Sequence, residues 1–202
     1  MLKIIVTPSP ILLKKSEPVL KFDKKLKEVI AEMSEALDAT VDPKGVGLAA
    51  PQVGVSKRIF LAKPDEKKRG LVFVNPEIIE AQGMAVPAFS NSEKIEYMKA
   101  SSKGRLSSGQ KNSKKKLLEG CLSIPNIWGN VCRKKVIKIS YRDENGKEHV
   151  KDFRGFSAIV IQHELDHLDG VLFTKHVMAQ GEQLYLSYKN EKGEDEFEEI
   201  KV

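Results

Sequence analysis

The segment His163-Glu164-Leu165-Asp166-His167 is the tightest constraint on how this chain folds. Two histidines four residues apart share a face only on an α-helix, where both imidazoles can reach one metal ion. Phe156, Ile159 and Val160 extend the same face upstream at i, i+3 and i+4 spacing. The periodicity therefore predicts a helix that ends near Gly170 and carries its histidines on the apolar stripe. Glu164, one residue past the first histidine, then stands beside the metal, where a carboxylate can handle the proton of a water. The alternative is a pair of satisfied core histidines. The chain has only four histidines, and their spacing, the stripe and the adjacent glutamate together favour the metal site.

Two imidazoles do not complete a site. Structural sites take four protein ligands, whereas catalytic sites take three and leave a place for water. The candidates are Cys121, Cys132, His149, His176 and many carboxylates. Glu119-Gly120-Cys121-Leu122-Ser123 is the most suggestive context, because its glycine permits close backbone approach and a metal would hold the thiol deprotonated. Cys132, beside Val131 at a strand entry, reads instead as a small buried apolar residue. His149 in a hairpin strand and His176 after the helix read as surface or half-buried side chains.

The remaining pattern alternates short strands with turn signals. Lys3 to Val6 reads as a strand before a Pro/Ser loop. Asp23 is a plausible N-cap for a helix with Leu26, Ile30, Met33 and Leu37 on one face, ending near Asp42-Pro43. Gly45 to Gln52 is too rich in small residues and proline for a regular element. Arg58 to Ala62 and Leu71 to Val74 read as strands, the second stopped by Asn75-Pro76. Val136 to Tyr141 and His149 to Phe153 form a hairpin around Asp143-Glu144-Asn145-Gly146, and the tail offers another, Gln183 to Tyr188 with Glu196 to Val202. Strands in hairpins with two main helices give an α+β class: one compact domain over 1–202, its metal helix packed on antiparallel strands, with an N-terminal helix.

Charge separates one segment from the rest. The chain carries 34 basic and 28 acidic residues, a net charge of +6. Eight basic and two acidic residues lie between Glu93 and Lys116, so those 24 residues hold the whole excess. A pI near 9.1 is therefore no sign of a basic globular surface selecting for nucleic acid. Residues of about 80–116 are rich in Lys, Ser and Gly without periodicity, the composition of a solvated insertion in the domain; its charge also suits a transient contact with the anionic ribosome. Two cysteines are too few for a disulfide framework, and no apolar run approaches the ~20 residues that span a bilayer. The start, MLKIIVTPSP, is too brief for a secretory segment. A monomeric cytoplasmic protein is expected, with no membrane or DNA partner.

GVGLAAPQ (45–52), EGCLS (119–123) and HELDH (163–167) resemble, in the same order, the three motifs of the peptide deformylases. The likeness extends over nearly all the chain outside about 80–116, including PSPILLKK, the QVG from Gln52 and the VNPEI strand end. It implies removal of the formyl group from the N-terminal methionine of nascent polypeptides. Carried onto these positions, it implies that Cys121, His163 and His167 bind one divalent metal, natively Fe²⁺ with Zn²⁺, Ni²⁺ or Co²⁺ able to substitute, and a water as fourth ligand and nucleophile. It implies Glu164 as general base and then acid, with Gln52 and the Leu122 backbone N–H stabilising the oxyanion. Val46 and Gly47 would form the edge that binds substrate backbone, and Leu117, Phe156, Ile159 and Val160 the methionine pocket.

Two positions modify the picture. Trp128 stands where relatives often have a polar or basic residue, and could stack on substrate or shield the loop's edge. Arg133 reads as a structural ion-pair partner. Two other functions compete with the deformylase: a metallopeptidase using the same HExxH helix, against which EGCLS and GLAAPQ argue, and a non-catalytic RNA- or ribosome-binding protein, which would need neither Glu164 nor Gln52.

Overall fold

In the computed structural model, which describes residues 2–64, 70–83 and 118–201, the strands fall into two antiparallel sheets. The first has the order β1 (Gly47–Ala49), β2 (Ile59–Ala62), β3 (Leu71–Gln82), β6 (Val136–Arg142), β7 (Glu148–Arg154). The second has the order β4 (Leu118–Cys121), β5 (Ile124–Asn130), β8 (Leu184–Lys189), β9 (Asp195–Glu199). With the helices they make the α+β fold that the hairpins and helix periods indicated.

Helix α1 (Lys24–Asp38) starts where the sequence placed it, with the Asp23 side chain accepting from the Leu26 N–H at 3.1 Å. Leu26, Ile30, Met33 and Leu37 are buried with Leu48, Ile59 and Leu61 in one core cluster. The helix stops at Asp38, short of the expected Asp42-Pro43.

Helix α2 (Gly155–Leu168) carries the two histidines and is buried nearly all round. Ala158, Ile161, Leu165 and Leu168 pack among Phe60, Phe73, Ile137 and Ile139 of the first sheet. Each large side chain so buried contributes about 1.5–3 kcal/mol. This packing fixes the rotation of α2 and so sets where the face carrying Phe156, Ile159, Val160 and His163 points. That face lines a cleft, with Phe156 and Val160 also packed against the sheet's core.

Other local expectations need correction. Lys3 to Val6 is not a strand; the Ile5 N–H donates to the Gln52 carbonyl (2.7 Å) and the Thr7 N–H to the Ser123 carbonyl (2.9 Å), so this segment ties two loops together. Gly45 to Gln52 holds a regular element, since β1 pairs with β2 and runs into a 3₁₀ turn at Ala50–Val53. β3 does not stop at Asn75-Pro76. Asn75 takes φ 48°, its side chain accepts from the Val19 N–H and donates to the Val19 carbonyl (2.8 Å each), and pairing with β6 resumes at Glu77. Residues 80–82 thus belong to the strand, not to the insertion. The rest of the Lys/Ser-rich segment through 116, with its helical turn suggested at Glu93 to Met98, lies outside the described residues, and so does Leu117.

A third helix, α3 (Phe173–Ala179), follows Gly170, where the sequence marked only an end. Gly170 has φ +71°, and a Cβ there would stand 2.6 Å from the Leu13 carbonyl oxygen, so only glycine lets the chain turn there. Phe173 and Val177 of α3 are buried with Cys121, Ile124 and Val131 beneath the cysteine motif.

Candidate metal centre

β4 delivers Cys121 and α2 delivers His163 and His167, and their ligand atoms lie within 4.8 Å of one another. All three side chains are buried. Cys121 Sγ is 3.1 Å from His167 Nε2, and the two imidazoles stand edge to face with centroids 5.0 Å apart. Among the described residues, Cys121 is the third-ligand candidate whose ligand atom the fold brings to both histidines. Cys132 is half-exposed, not buried as expected, with its backbone N–H donating to Gln180 Oε1 (2.7 Å). His149 and His176 pair instead with Asp143 and Asp166, each at 2.9 Å.

A chain of charges supports the ligands. His163 Nδ1 is 3.1 Å from Glu119 Oε1, which leaves Nε2 of that ring available to a metal. Arg133 donates to both oxygens of Glu119 (2.7 Å at its shortest) and also to Asp166. The Arg133 side chain is 5% exposed and the Glu119 side chain 11%. Burial alone would raise the Glu119 carboxyl, but Arg133 and then His163 outweigh it and hold it at about 2. Arg133 is correspondingly pushed above its ordinary value by Glu119 and Asp166, against burial. Glu119, Asp166 and His176 carry no site role in the sequence motifs read above. The only signal for Glu119 is its place two residues before the cysteine.

Burial also raises the Cys121 thiol, but His167 and His163 outweigh it and bring it down to about 5. His163 rises well above its usual value because Cys121 and Glu119 overcome its burial. The two shifts belong together, since each favours a thiolate facing an imidazolium. Glu164 moves the other way, pushed by burial up to about 7 against the pull of His163 and His167. Buried polar atoms without a partner are rare. Among the described residues four side-chain atoms are so placed, and two of them, Glu164 Oε2 and His167 Nδ1, are here. A soft thiolate, two imidazoles and an adjacent carboxylate fit a divalent transition metal.

Gln52 comes from the 3₁₀ turn after β1. Its Oε1 accepts from the Ala49 N–H (2.8 Å), which turns its amide nitrogen toward Ser123 Oγ (3.1 Å) and Cys121 Sγ (3.5 Å). Ser123 therefore positions Gln52, a role not read from its motif. Gln52, Cys121, Leu122, His163 and Glu164 line one cleft with Val46, Gly47, Phe156, Ile159 and Val160. The cleft encloses about 640 Å³ including its open mouth. His167 lies behind Cys121 at 1% exposure. Every expected site residue within the described chain is thus at one place. Trp128 also lines this cleft and donates from Nε1 to Ser187 Oγ at 3.0 Å.

Comparison with known proteins agrees with this geometry. The polypeptide deformylase family model matches residues 1–183. Peptide deformylase 1 of Bacillus subtilis is 34% identical over 175 residues, covering 87% of this chain and 89% of that protein. The crystal structure of peptide deformylase from Thermotoga maritima superposes with a TM-score of 0.68 at 34% identity, covering 87% of this chain and 97% of the other. A Plasmodium falciparum peptide deformylase in complex with an inhibitor gives 0.62 at 36% identity, covering 86% and 87%.

Proposed function

The chain belongs to the peptide deformylase family, enzymes that remove the N-formyl group from nascent polypeptides with the help of a metal, and we propose how its own residues do so. The observation that carries the assignment is the convergence of Cys121, His163, His167, Glu164 and Gln52 on one cleft. Cys121, His163 and His167 would hold the metal, which when bound supplies the Lewis acidity that brings a water's pKa from 15.7 to about 7. Fe²⁺ is the native ion in this reading, and the mixed sulfur and imidazole donors also suit Zn²⁺, Ni²⁺ or Co²⁺.

Glu164 takes the proton of the attacking water and passes it to the leaving methionine nitrogen. Its burial keeps its affinity for a proton near neutral, the range in which a group can both accept and donate. The Gln52 amide and the Leu122 backbone N–H donate to the oxyanion that forms on the formyl carbon. Both are neutral donors, so they stabilise developing charge without repelling a cation. Glu119 and Arg133 hold His163 in its ligating tautomer.

β1 is the edge strand of one sheet and β4 of the other, and both border the cleft. An extended peptide can pair with the β1 edge at Val46 and Gly47, as peptides add to exposed sheet edges elsewhere. The methionine side chain then meets Phe156, Ile159 and Val160. The substrate is a chain still emerging from the ribosome, which supports a cytoplasmic enzyme. The +6 of residues 93–116 supports a salt-sensitive contact with the anionic ribosome surface. Loss of co-sedimentation at low salt on deleting residues 85–114 would support that contact, and unchanged co-sedimentation would end it.

The reading is tested by incubating protein loaded anaerobically with Fe²⁺, or with Ni²⁺, with a formyl-methionyl tripeptide. Formate and the intact free tripeptide are the expected products. Cleavage of a backbone peptide bond would point to a peptidase, and no turnover by folded, metallated protein would overturn the assignment.

A further inference from the structure

The stretch that matches the family model ends at residue 183, and the hairpin of β8 and β9 begins at Leu184. This hairpin contacts Trp128 of the cleft lining and Asp42, which adjoins the lining segment 43–45. On one side β8 pairs with β5, setting Trp128 opposite Tyr185 and Ile127 opposite Leu186. The Trp128 indole donates to Ser187 Oγ at 3.0 Å, and Phe197 of β9 meets the ring edge to face at 6.0 Å. Trp128 in turn lies so tightly on β4 that a Cβ on Gly120 would stand 2.7 Å from two ring carbons. Gly120 immediately precedes Cys121, so the ring is pressed against the backbone beside the metal ligand. On the other side, Lys189 at the end of β8 reaches Asp42 at 3.2 Å while also held by Asp195 at 2.6 Å. Asp42 precedes Pro43, Lys44 and Gly45, which also line the cleft.

We propose that this C-terminal hairpin is a specificity element: it fixes Trp128 as an apolar platform at the cleft mouth and sets the spacing to the 42–45 wall, so that the enzyme favours chains with apolar or aromatic residues after the formyl-methionine. The proposal rests on the deformylase reading. Ser187, Phe197 and Lys189 act through Trp128 and the 42–45 wall and are positioning residues. The Lys189–Asp42 pair is about half exposed, so it serves as a tether of position rather than a source of stability. An aromatic side chain held by a hydrogen bond and a neighbouring ring loses little freedom when a ligand stacks on it.

Trp128 is the chain's single tryptophan, so its fluorescence reports this rim alone. Zn²⁺-loaded protein is titrated with the product peptide Met-Leu-Phe and with free methionine, and kcat and KM are measured for formyl-Met-Leu-Phe and formyl-methionine amide. Met-Leu-Phe is expected to shift the Trp128 emission where methionine does not. A Ser187→Ala/Phe197→Ala variant is expected to raise KM for the tripeptide about 3- to 10-fold with kcat held, and to change the amide less than about twofold. Lys189→Glu, a surface change that leaves the hairpin's apolar contacts intact, is expected to act in the same direction and to be reversed by Asp42→Lys. Equal effects on both substrates, or no effect on either, would overturn the proposal, as would a tripeptide that leaves Trp128 emission unmoved. Absence of turnover on every formylated substrate would instead count against the deformylase reading, and the fluorescence titration would still decide the role of the rim.

Discussion

Gly47 and Glu164 are packed so closely that a Cβ on Gly47 would lie 2.3 Å from Glu164 Oε1. The backbone of β1 is therefore the wall against which the proposed base is held. Gly47→Ala must displace the carboxylate, because β1 is fixed by its pairing to β2. A base moved by about 1 Å loses on the order of 10²-fold in kcat. Turnover should fall by that amount while metal content stays at the wild-type level. Near-normal kcat would mean that the position of Glu164 does not limit the reaction.

Glu164 also links activity to stability. Burial raises its folded-state value from 4.5 to about 7, so the stability it contributes is full below about pH 4.5 and is lost as pH rises toward 7. That rise corresponds to about 3 kcal/mol in the metal-free protein. Glu164→Gln should therefore raise the melting temperature of metal-free protein at pH 8 by about 6–12 °C. The gain should shrink toward nothing at pH 4.5. Calorimetry at the two pH values checks the sign, and an equal gain at both would contradict it.

Arg133 joins Glu119 to Asp166 from a side chain 5% exposed. Arg133→Met leaves two carboxylates without their cation and should destabilise the protein by about 3–5 kcal/mol. Arg133→Lys cannot reproduce the forked contact and should restore only part of that. Glu119→Gln keeps the size of the His163 partner but removes its charge, and should weaken metal binding about 10- to 100-fold in chelator competition. An unchanged metal affinity would show that the Glu119 charge does not tune His163.

Gln52 is oriented from its oxygen end by the Ala49 N–H and from its nitrogen end by Ser123. Removing an oxyanion donor of this kind costs about 2.7–4 kcal/mol in the barrier. Gln52→Ala should lose about 10²–10³ in kcat with metal content unchanged. Ser123→Ala, which frees only one end of the amide, should lose less. A larger loss in the serine variant would reverse the assignment of roles.

The parts legible in the sequence were those written in local spacing. The i, i+4 histidines, the Asp23 cap and the Asp143–Gly146 turn each depend on residues within one or two turns of chain. The residues of the candidate site were legible because EGCLS and HELDH each keep their chemistry together. What escaped depends on distant neighbours. β1 is rich in small residues because Glu164 and α2 press on it, and no local pattern signals a strand there. β3 continues through Asn75 because the backbone of Val19, 56 residues away, holds the Asn75 side chain at both ends of its amide. The supporting ion pairs join Arg133 to residues 14 and 33 positions away. Trp128 was singled out as a departure, but its partners Ser187 and Phe197 lie 59 or more residues further on.

The central claim is that the Cys121, His163 and His167 cluster holds the metal while Glu164 moves the proton. Glu164→Ala separates the two roles, since Glu164 is beside the ligands without being one. Metal content and formate release from a formyl-methionyl tripeptide should be measured on the same anaerobic preparation of wild type and variant. One metal per chain in both, with formate release lowered about 10²–10⁴-fold in the variant, is the expected result. Wild-type formate release by a Glu164→Ala protein with full metal would contradict it.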